Sequence, residues 1–580
     1  MEYSNDRATQ IVVTLLKAHK IKRVIASPGT TNIALVGSMQ YDSWFEIYSS
    51  ADERSAAYMA CGMAEATGEP VVITCTGATA SRNYLPGLTE AFYRKLPILA
   101  ITGSHGDETI GHLRAQDIDR TQAPKDAIKM SVFIDRICSE KDEWATITNV
   151  NKAILELTRY GGGPVHINLR LGHGAGFTTK ELPTIRKISR YTYNSTLPDI
   201  KGERVAIFLG SHKPFNNNEI EIIDKFCECY NGVVFNDLTS RYCGKYGIRT
   251  SLIASQHIKD VNLLSPELTI HIGEISGEFY TTYSLKSDET WRISEDGEIR
   301  DLFGNLTAVF QMSEMDFFTH YTSMDNVGEL TFYNDCKNKY SQLIDRIPNL
   351  PFGNLWIAHQ IHDKLPKDSF LYVSIFNSLR SWNFFDIAPS IKTSCNVGGF
   401  GIDGPLSTLL GSAIVKKDVI HYAVVGDLAF FYDMNVLGNR HISSNIRILL
   451  INNGVGTEFR NYDHPANQWG EDANLYMAAA GHYGNKSINL VKHYSEDLGF
   501  IYLSASSKKD FLDNVDLFLN PDALSKPVLF EIFTDSKDES DALRLLRSIT
   551  QPPKPSIKDR LIAKSNCIIN KLNPNGKLSL

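Results

Sequence analysis

The 580-residue chain carries 43% hydrophobic and 22% charged residues and a formal net charge of −7. That balance describes a globular protein with sizeable cores and argues against a nucleic-acid-coating surface. No run reaches the roughly 18 apolar residues of a membrane span, and the N-terminal MEYSNDRATQ has no basic-then-apolar signal pattern, so a cytoplasmic protein without a membrane partner is expected. The nine cysteines are scattered without a CxxC, which predicts buried thiols rather than a zinc site or a disulfide framework.

In chain order, residues 1–187 alternate short apolar runs with helical patterns. RVIAS (23–27), FEIYSS (45–50), VVITC (71–75), PILAI (97–101) and PVHINL (164–169) read as strands, and Ala56, Ala57, Ala60 and Ala64 fall on one helix face. The polar, turn-rich YTYNSTLPDIKGER (191–204) reads as a linker. A second block, 200–345, holds RVAIFLG (204–210), GVVFND (232–237), LTIHIG (268–273) and LTAVFQM (306–312). DRIPNLPFGN (345–354) marks another boundary. A third block, 352–545, carries SFLYVS (369–374), HYAVVGD (421–427), IRILLINN (446–453) and VLFEIF (528–533). The Pro- and Lys-rich remainder, 546–580, reads as a surface extension. The expected fold class is α/β: three domains of parallel sheet covered by helices, with no simple sequence repeat.

The third block holds the most specific chemistry. In VVGDLAFFYDMN, Asp427 stands at the carboxyl end of a core strand, where open parallel sheets bind ligands. A helix predicted to begin near Ala429, behind Gly426 and Leu428, offers free N–H groups to a phosphate. A carboxylate beside a phosphate needs a cation between them, and magnesium suits that place. The next strand ends in LLINNG, one strand–helix–strand unit further on, which can bring Asn453 beside Asp427.

Gly-Asp at one strand end and Asn-Asn-Gly at the next resemble the metal–diphosphate motif of thiamine diphosphate (ThDP) enzymes, with Leu428 in place of the motif's second glycine. The resemblance assigns Asp427, the Asn453 side chain and the Val455 carbonyl to Mg2+. Such enzymes also need an acid in a mostly apolar pocket to share a proton with the aminopyrimidine ring. Glu53, in SSADERSAAYMACGMAEATG after a predicted strand, fits that acid. An ordinary acidic residue at a helix N-terminus is the competing reading.

SPGTTN (27–32), ADER (51–54), GIDGPLSTLLG (401–411) and GDLAFFYDMN (426–435) are similar to the same stretches of the SEPHCHC synthases of menaquinone biosynthesis, and the likeness runs nearly the full length. It implies a pyrimidine-binding domain, a central domain without cofactor and a diphosphate-binding domain, the architecture of ThDP-dependent decarboxylases and carboligases. It implies Ile402 as the wedge that bends the cofactor, the Phe400 carbonyl as acceptor of an amine hydrogen, and Asn377 and Ser378 on the diphosphate. Thr76, Gly77 and Asn83 would lie near the pyrimidine, and Gln116 at the reacting centre. Because Glu53 and Asp427 come from different subunits in that family, a homodimer or homotetramer with interfacial sites is implied.

That family holds carboxylate-rich substrates with arginines, a choice that guanidinium geometry explains. Here those positions fall at Thr31, His105, Trp382 (with Arg380 two residues away) and Val397. The expectation is a carboligase that takes a small 2-oxo acid donor such as pyruvate and a carbonyl or enone acceptor, not SEPHCHC synthesis, with His105 supplying a hydrogen bond or proton. Arg460, His464 and Trp469 in TEFRNYDHPANQW (457–469) are candidate substrate contacts, against a polar surface loop. A non-ligating 2-oxo acid decarboxylase and a catalytically silent binding or regulatory member of the fold are the alternatives; Glu53 argues against the silent one. No GxGxxG opens a helix after a strand, which disfavours a nicotinamide site, and the closer likeness disfavours flavin.

Overall fold

A computed structural model describes residues 2–120, 123–171, 176–256, 261–322, 329–522 and 524–550; the expected C-terminal extension lies outside them from 551 onward. The chain forms two compact units. One comprises residues 1–202, 267–272 and 287–323, the other residues 203–266, 273–286 and 324–580. Strands expected in the middle block are thus divided between the two.

The first unit is built on six parallel strands in the spatial order Glu46–Ser49, Arg23–Ala26, Val71–Cys75, Ile98–Ser104, Val165–Arg170 and Met130–Ile134. The central strands are continuous apolar runs because helices cover both faces. Helices Arg7–Ala18 and Glu140–Glu156 bury Val12, Leu16, Val150 and Ile154 on one side. Helix Glu53–Thr67 presses Ala56, Ala57, Ala60 and Ala64 on the other, as their spacing predicts. The same unit holds the parallel strands Leu268–Ile272, Glu289–Ile293, Leu306–Gln311 and Ser189–Thr192, so the expected linker begins inside a strand.

The second unit carries the parallel strands Gly247–Arg249, Gly232–Asn236 and Val205–Leu209. Its main sheet has six parallel strands in the order Lys392–Ser394, Phe370–Val373, His421–Gly426, Ile446–Asn452, Val528–Phe533 and Ile501–Ala505. The last helix, Ser536–Arg547, runs across the boundary expected at 545. Numbered along the chain, the strands of each six-stranded sheet follow the same order, 2-1-3-4-6-5. A structural repeat is therefore present without a sequence repeat, since such a sheet needs apolar runs of the right length rather than particular residues.

In that order the chain turns to opposite sides after the first and third strands, which opens a crevice at their carboxyl ends. Every expected cofactor residue but Asn83, the last residue of helix Ala78–Asn83, lies on a loop or helix start at the carboxyl end of one of these two sheets or on the segment 396–404. Among the described residues no helix is long and apolar enough to cross a membrane, and the eight cysteines are free thiols.

Candidate functional site

In the second unit the crevice lies between strands Phe370–Val373 and His421–Gly426. Asp427 is the first residue of helix Asp427–Asp433, two residues earlier than the expected start, with Gly426 as its cap. The carboxylate is 4% exposed. Its Oδ1 accepts the Leu428 N–H at 2.8 Å and its Oδ2 the Gly454 N–H at 2.6 Å. The turn after strand Ile446–Asn452 therefore wraps the acid, with Gly454 at φ 71° where a side chain would be strained. Asn453 Oδ1 accepts the Val455 N–H at 3.3 Å in the same turn.

Burial pushes the Asp427 carboxyl up to about 6, against the pull of the Leu428, Gly454, Asn453 and Val455 N–H groups. Among the described residues no cationic side chain pairs with it. The donors gathered here are a carboxylate, an amide oxygen and a backbone carbonyl, all hard oxygen ligands that suit magnesium rather than zinc. Among the described residues no cluster of three His, Cys, Asp or Glu side chains could hold a metal, so an ion at Asp427 would need further oxygens from a ligand. The residues present fit a magnesium–diphosphate group.

Across the crevice, Phe376 (φ 62°) turns the chain into helix Asn377–Asn383. Asn377 Oδ1 accepts from Arg380 Nη1 at 2.7 Å and from Asn461 Nδ2 at 3.2 Å. Ser378 Oγ accepts from Asn354 Nδ2 at 3.1 Å. Phe400 stands at φ 53°, its ring edge-on to Phe376 at 5.9 Å, and Ile402 packs half-buried against the core cluster that includes Ala429. Non-glycine residues in the left-handed region cost of order 1–3 kcal/mol and cluster at functional sites. Here Ala78, Gln116, Phe376 and Phe400 are at or beside residues the sequence singles out.

Two buried acids not marked in the sequence brace this crevice. Glu531, within strand Val528–Phe533, is 0% exposed; its Oε1 accepts from Asn452 Nδ2 at 2.7 Å and its Oε2 from the Tyr502 hydroxyl at 2.8 Å. Glu539 accepts the Asn354 N–H at 3.1 Å on both oxygens and the Thr534 hydroxyl at 2.9 Å. Burial pushes Glu539 up to about 7, and Asp427 adds to the rise through space. A glutamate inside the apolar run VLFEIF was the available signal, since an unpaired charge in a core strand is rare.

In the first unit the matching crevice lies between Arg23–Ala26 and Val71–Cys75. Thr31 and Thr76 share a hydroxyl hydrogen bond of 2.7 Å, and the Gly77 N–H donates to Thr31 Oγ1 at 3.3 Å. A side chain at Gly103 would place its Cβ 2.3 Å from that oxygen. Glu53 opens helix Glu53–Thr67, but Asp52 caps it, accepting the Arg54 and Ser55 N–H groups at 3.3 and 3.1 Å. The ordinary helix-end task falls to Asp52, which leaves Glu53 available. Among the described residues its Oε2 accepts a single side-chain bond, from Asn83 Nδ2 at 3.3 Å. His105 is half-buried after strand Ile98–Ser104, and Gln116 is exposed on the following loop at φ 69°.

The remaining expected contacts divide. Trp382 is 0% and Val397 3% exposed, both packed inside the second unit with no surface for a substrate. Arg380 grips Glu458 with two bonds of 2.7 and 2.8 Å, so it holds Asn377 rather than standing free. Arg460 is held by the Gly470 carbonyl and by Glu471 at 2.8 Å. His464 lines a cavity of about 720 Å3 with Tyr280, Arg544 and Arg547. Trp469 is largely exposed.

Two parallel sheets of one strand order, one with a buried carboxylate wrapped by backbone N–H groups and the other with a half-buried acid at a helix start, define a two-sheet α/β protein with matching crevices. Residues 6–123 match the family model described as thiamine pyrophosphate enzyme, N-terminal TPP binding domain. Over that stretch the chain is similar to the N-terminal domain of the ThDP-dependent enzymes, and the likeness extends along the chain in its curated relatives. It is 29% identical over 557 residues to the 2-succinyl-5-enolpyruvyl-6-hydroxy-3-cyclohexene-1-carboxylate synthase of Phocaeicola vulgatus, covering 93% of this chain and 98% of that one. The synthase of the same name from Bacteroides thetaiotaomicron is 29% identical with the same coverage. That of Flavobacterium johnsoniae is 28% identical, covering 94% of this chain and 99% of the relative.

Proposed function

We propose that this chain is a ThDP- and Mg2+-dependent carboligase that decarboxylates a small 2-oxo acid and adds the acyl unit to a carbonyl or enone acceptor. The observation that carries the reading is Asp427, a buried acid that no cationic side chain among the described residues pairs with, wrapped by the turn that bears Asn453. Asp427, Asn453 and the Val455 carbonyl would hold magnesium, Asn377 and Ser378 the diphosphate, and Glu53 with Asn83 the pyrimidine. When bound, the cofactor supplies an acyl-anion equivalent. Glu53 holds the proton that this activation needs, and Gln116 and His105 are placed to meet the substrate. By resemblance the working form is a dimer or tetramer with Glu53 and Asp427 contributed by different subunits.

A small donor is favoured because the positions where the resembling synthases carry arginines offer little charge. Thr31 is tied to Thr76, Trp382 and Val397 are buried, and Arg380 and Arg460 already hold carboxylates. A second reading, the reaction named for the relatives, is favoured by their near full-length coverage.

One experiment separates the readings. Purified protein with ThDP and Mg2+ is given pyruvate with an aldehyde acceptor, or 2-oxoglutarate with isochorismate, and products are identified by mass spectrometry. A 2-hydroxy ketone from pyruvate is expected. Free acetaldehyde alone would make the protein a decarboxylase, and fast consumption of the second pair would overturn the small-donor reading.

A further inference from the structure

A cavity of about 360 Å3 lies within the first unit, near the carboxyl ends of strands Val71–Cys75 and Ile98–Ser104. Its walls are apolar, from Leu85, Leu88, Ala100, Ala123, Pro124 and Ile128. Its polar lining comprises Ser81, Arg82, Tyr84, Thr102, Asp119, Arg120 and His166, and Arg82 donates to the Asp119 carbonyl at 3.0 Å. That volume lies at the lower end of small-molecule sites, and a few polar groups against an apolar body is the usual design of one.

The polar end carries an uncompensated cation. Arg120 Nη1 donates to Thr102 Oγ1 at 3.0 Å and Nη2 to the Gly103 carbonyl at 2.8 Å, while Nε is buried with no partner. Both acceptors are neutral. Among the described residues no carboxylate lies within 4.0 Å of the guanidinium; Asp107 and Asp117 act on it only through space. His166 cannot take part of the charge. Its Nε2 bonds Thr102 Oγ1 at 2.8 Å, its Nδ1 bonds Ser131 Oγ at 2.7 Å, and burial with the nearby Arg120 pushes it down to about 3, so it stays neutral. A partly buried guanidinium with a free N–H is an unmet demand for an anionic oxygen. A phosphate would leave the apolar walls uncovered, and an uncharged apolar molecule would leave the cation unpaired.

We infer that this cavity binds a small monocarboxylate with an apolar body, its carboxylate on Arg120 and its body against Leu85, Leu88 and Ile128. The chemistry is shared by a 2-oxo acid substrate and by a non-reacting effector acid. Arg120 also stands beside the pyrimidine loop, since a Cβ on Gly77 would meet its Nη2 at 3.4 Å.

The test uses the full chain and benzoate as probe, followed by calorimetry without ThDP, so that its result is independent of the proposed reaction. Benzoate binding is expected, with no binding of benzamide, the uncharged analogue. Arg120→Gln should weaken benzoate at least about tenfold. Ala123→Phe, which keeps the cation and fills the cavity, should weaken it as much, and the melting temperature of each variant reports folding. Equal binding of benzamide, or unchanged affinity in either folded variant, overturns the inference. In turnover, a benzoate effect on KM alone assigns the site to the donor acid, and an effect on kcat at saturating donor assigns it to an effector.

Discussion

In the second unit the functional carboxylate follows the third strand of its sheet, is 4% exposed, and is already met by two N–H groups of its own chain. In the first unit it follows the second strand, is partly exposed, and is met by one 3.3 Å bond from Asn83. Both sheets have the same strand order, so the difference does not come from topology. Under the proposed function it comes from what each acid is for. Asp427 would keep a fixed geometry around a cation, and the Gly454 N–H it accepts is shared at 3.3 Å with Asn452 Oδ1, whose Nδ2 bonds Glu531. Glu53 would exchange a proton, and Asp52 caps its helix, so the Glu53 oxygens are not spent on that task. The comparison predicts that Glu53 governs turnover and Asp427 governs affinity.

The largest effect follows from Glu53. Glu53→Gln should lower kcat by about 10²–10⁴, the range of general acid–base catalysis, while Mg2+–ThDP affinity measured by fluorescence quenching stays within a few-fold. If affinity and kcat fell together, the two acids would not have separate tasks.

Asp427→Asn should reverse the pattern, weakening magnesium binding by about a hundredfold or more, as expected when a buried charge loses its partner. The wild-type pH dependence follows from the same acid. Burial pushes its folded-state carboxyl up to about 6, above the ordinary aspartate range. In the metal-free protein its stability contribution is therefore complete below about pH 4 and lost as pH rises through about 6, a difference of about 3 kcal/mol. Magnesium binds the ionised form, so the rise in melting temperature on adding Mg2+ and ThDP should grow from pH 5 to 7 and then level. Glu539, near 7 and repelled by Asp427, broadens that transition, and Glu539→Gln should move its midpoint down.

Glu531→Gln tests the brace. Weakening the bond to Asn452, whose Oδ1 shares the Gly454 N–H with Asp427, should weaken magnesium by up to about tenfold, the lower end of what outer-sphere changes do, with kcat at saturating metal nearly unchanged. A drop in kcat that excess Mg2+ and ThDP do not restore would contradict a positioning role.

How far these roles are legible in the sequence depends on how they are built. VVITC, HYAVVG and IRILLIN read as strands because both faces are buried, and Asp427 and Asn453 read as ligands because they end such runs. Strands Met130–Ile134, Glu289–Ile293, Lys392–Ser394 and Ile501–Ala505 were not legible. The first, third and fourth are sheet edges with half-exposed or polar residues, and the second buries Arg292, which breaks the apolar run. Glu539 was illegible for another reason. It reaches Asn354 across 185 residues, a contact that no local pattern encodes. The shared strand order was hidden too, since the two sheets agree in connection and not in residues.

The smallest effect distinguishes two acids of one helix. VVGDLAFFYDMN contains Asp433 as well as Asp427, both buried, six residues apart. Asp433 faces helix Pro405–Val415 instead of the crevice, accepting the Ser407 N–H at 2.6 Å and its hydroxyl at 2.5 Å. Those are the bonds of a helix cap supplied from outside the helix, at a start where Gly404 has no side chain to supply them. Asp433→Asn keeps one acceptor and should cost about 1 kcal/mol of stability in denaturant unfolding, with magnesium affinity unchanged. A loss of affinity as large as that of Asp427→Asn would mean that the helix, not the strand-end carboxylate, sets the cation site, and the contrast between the two sheets would have to be redrawn around packing rather than charge.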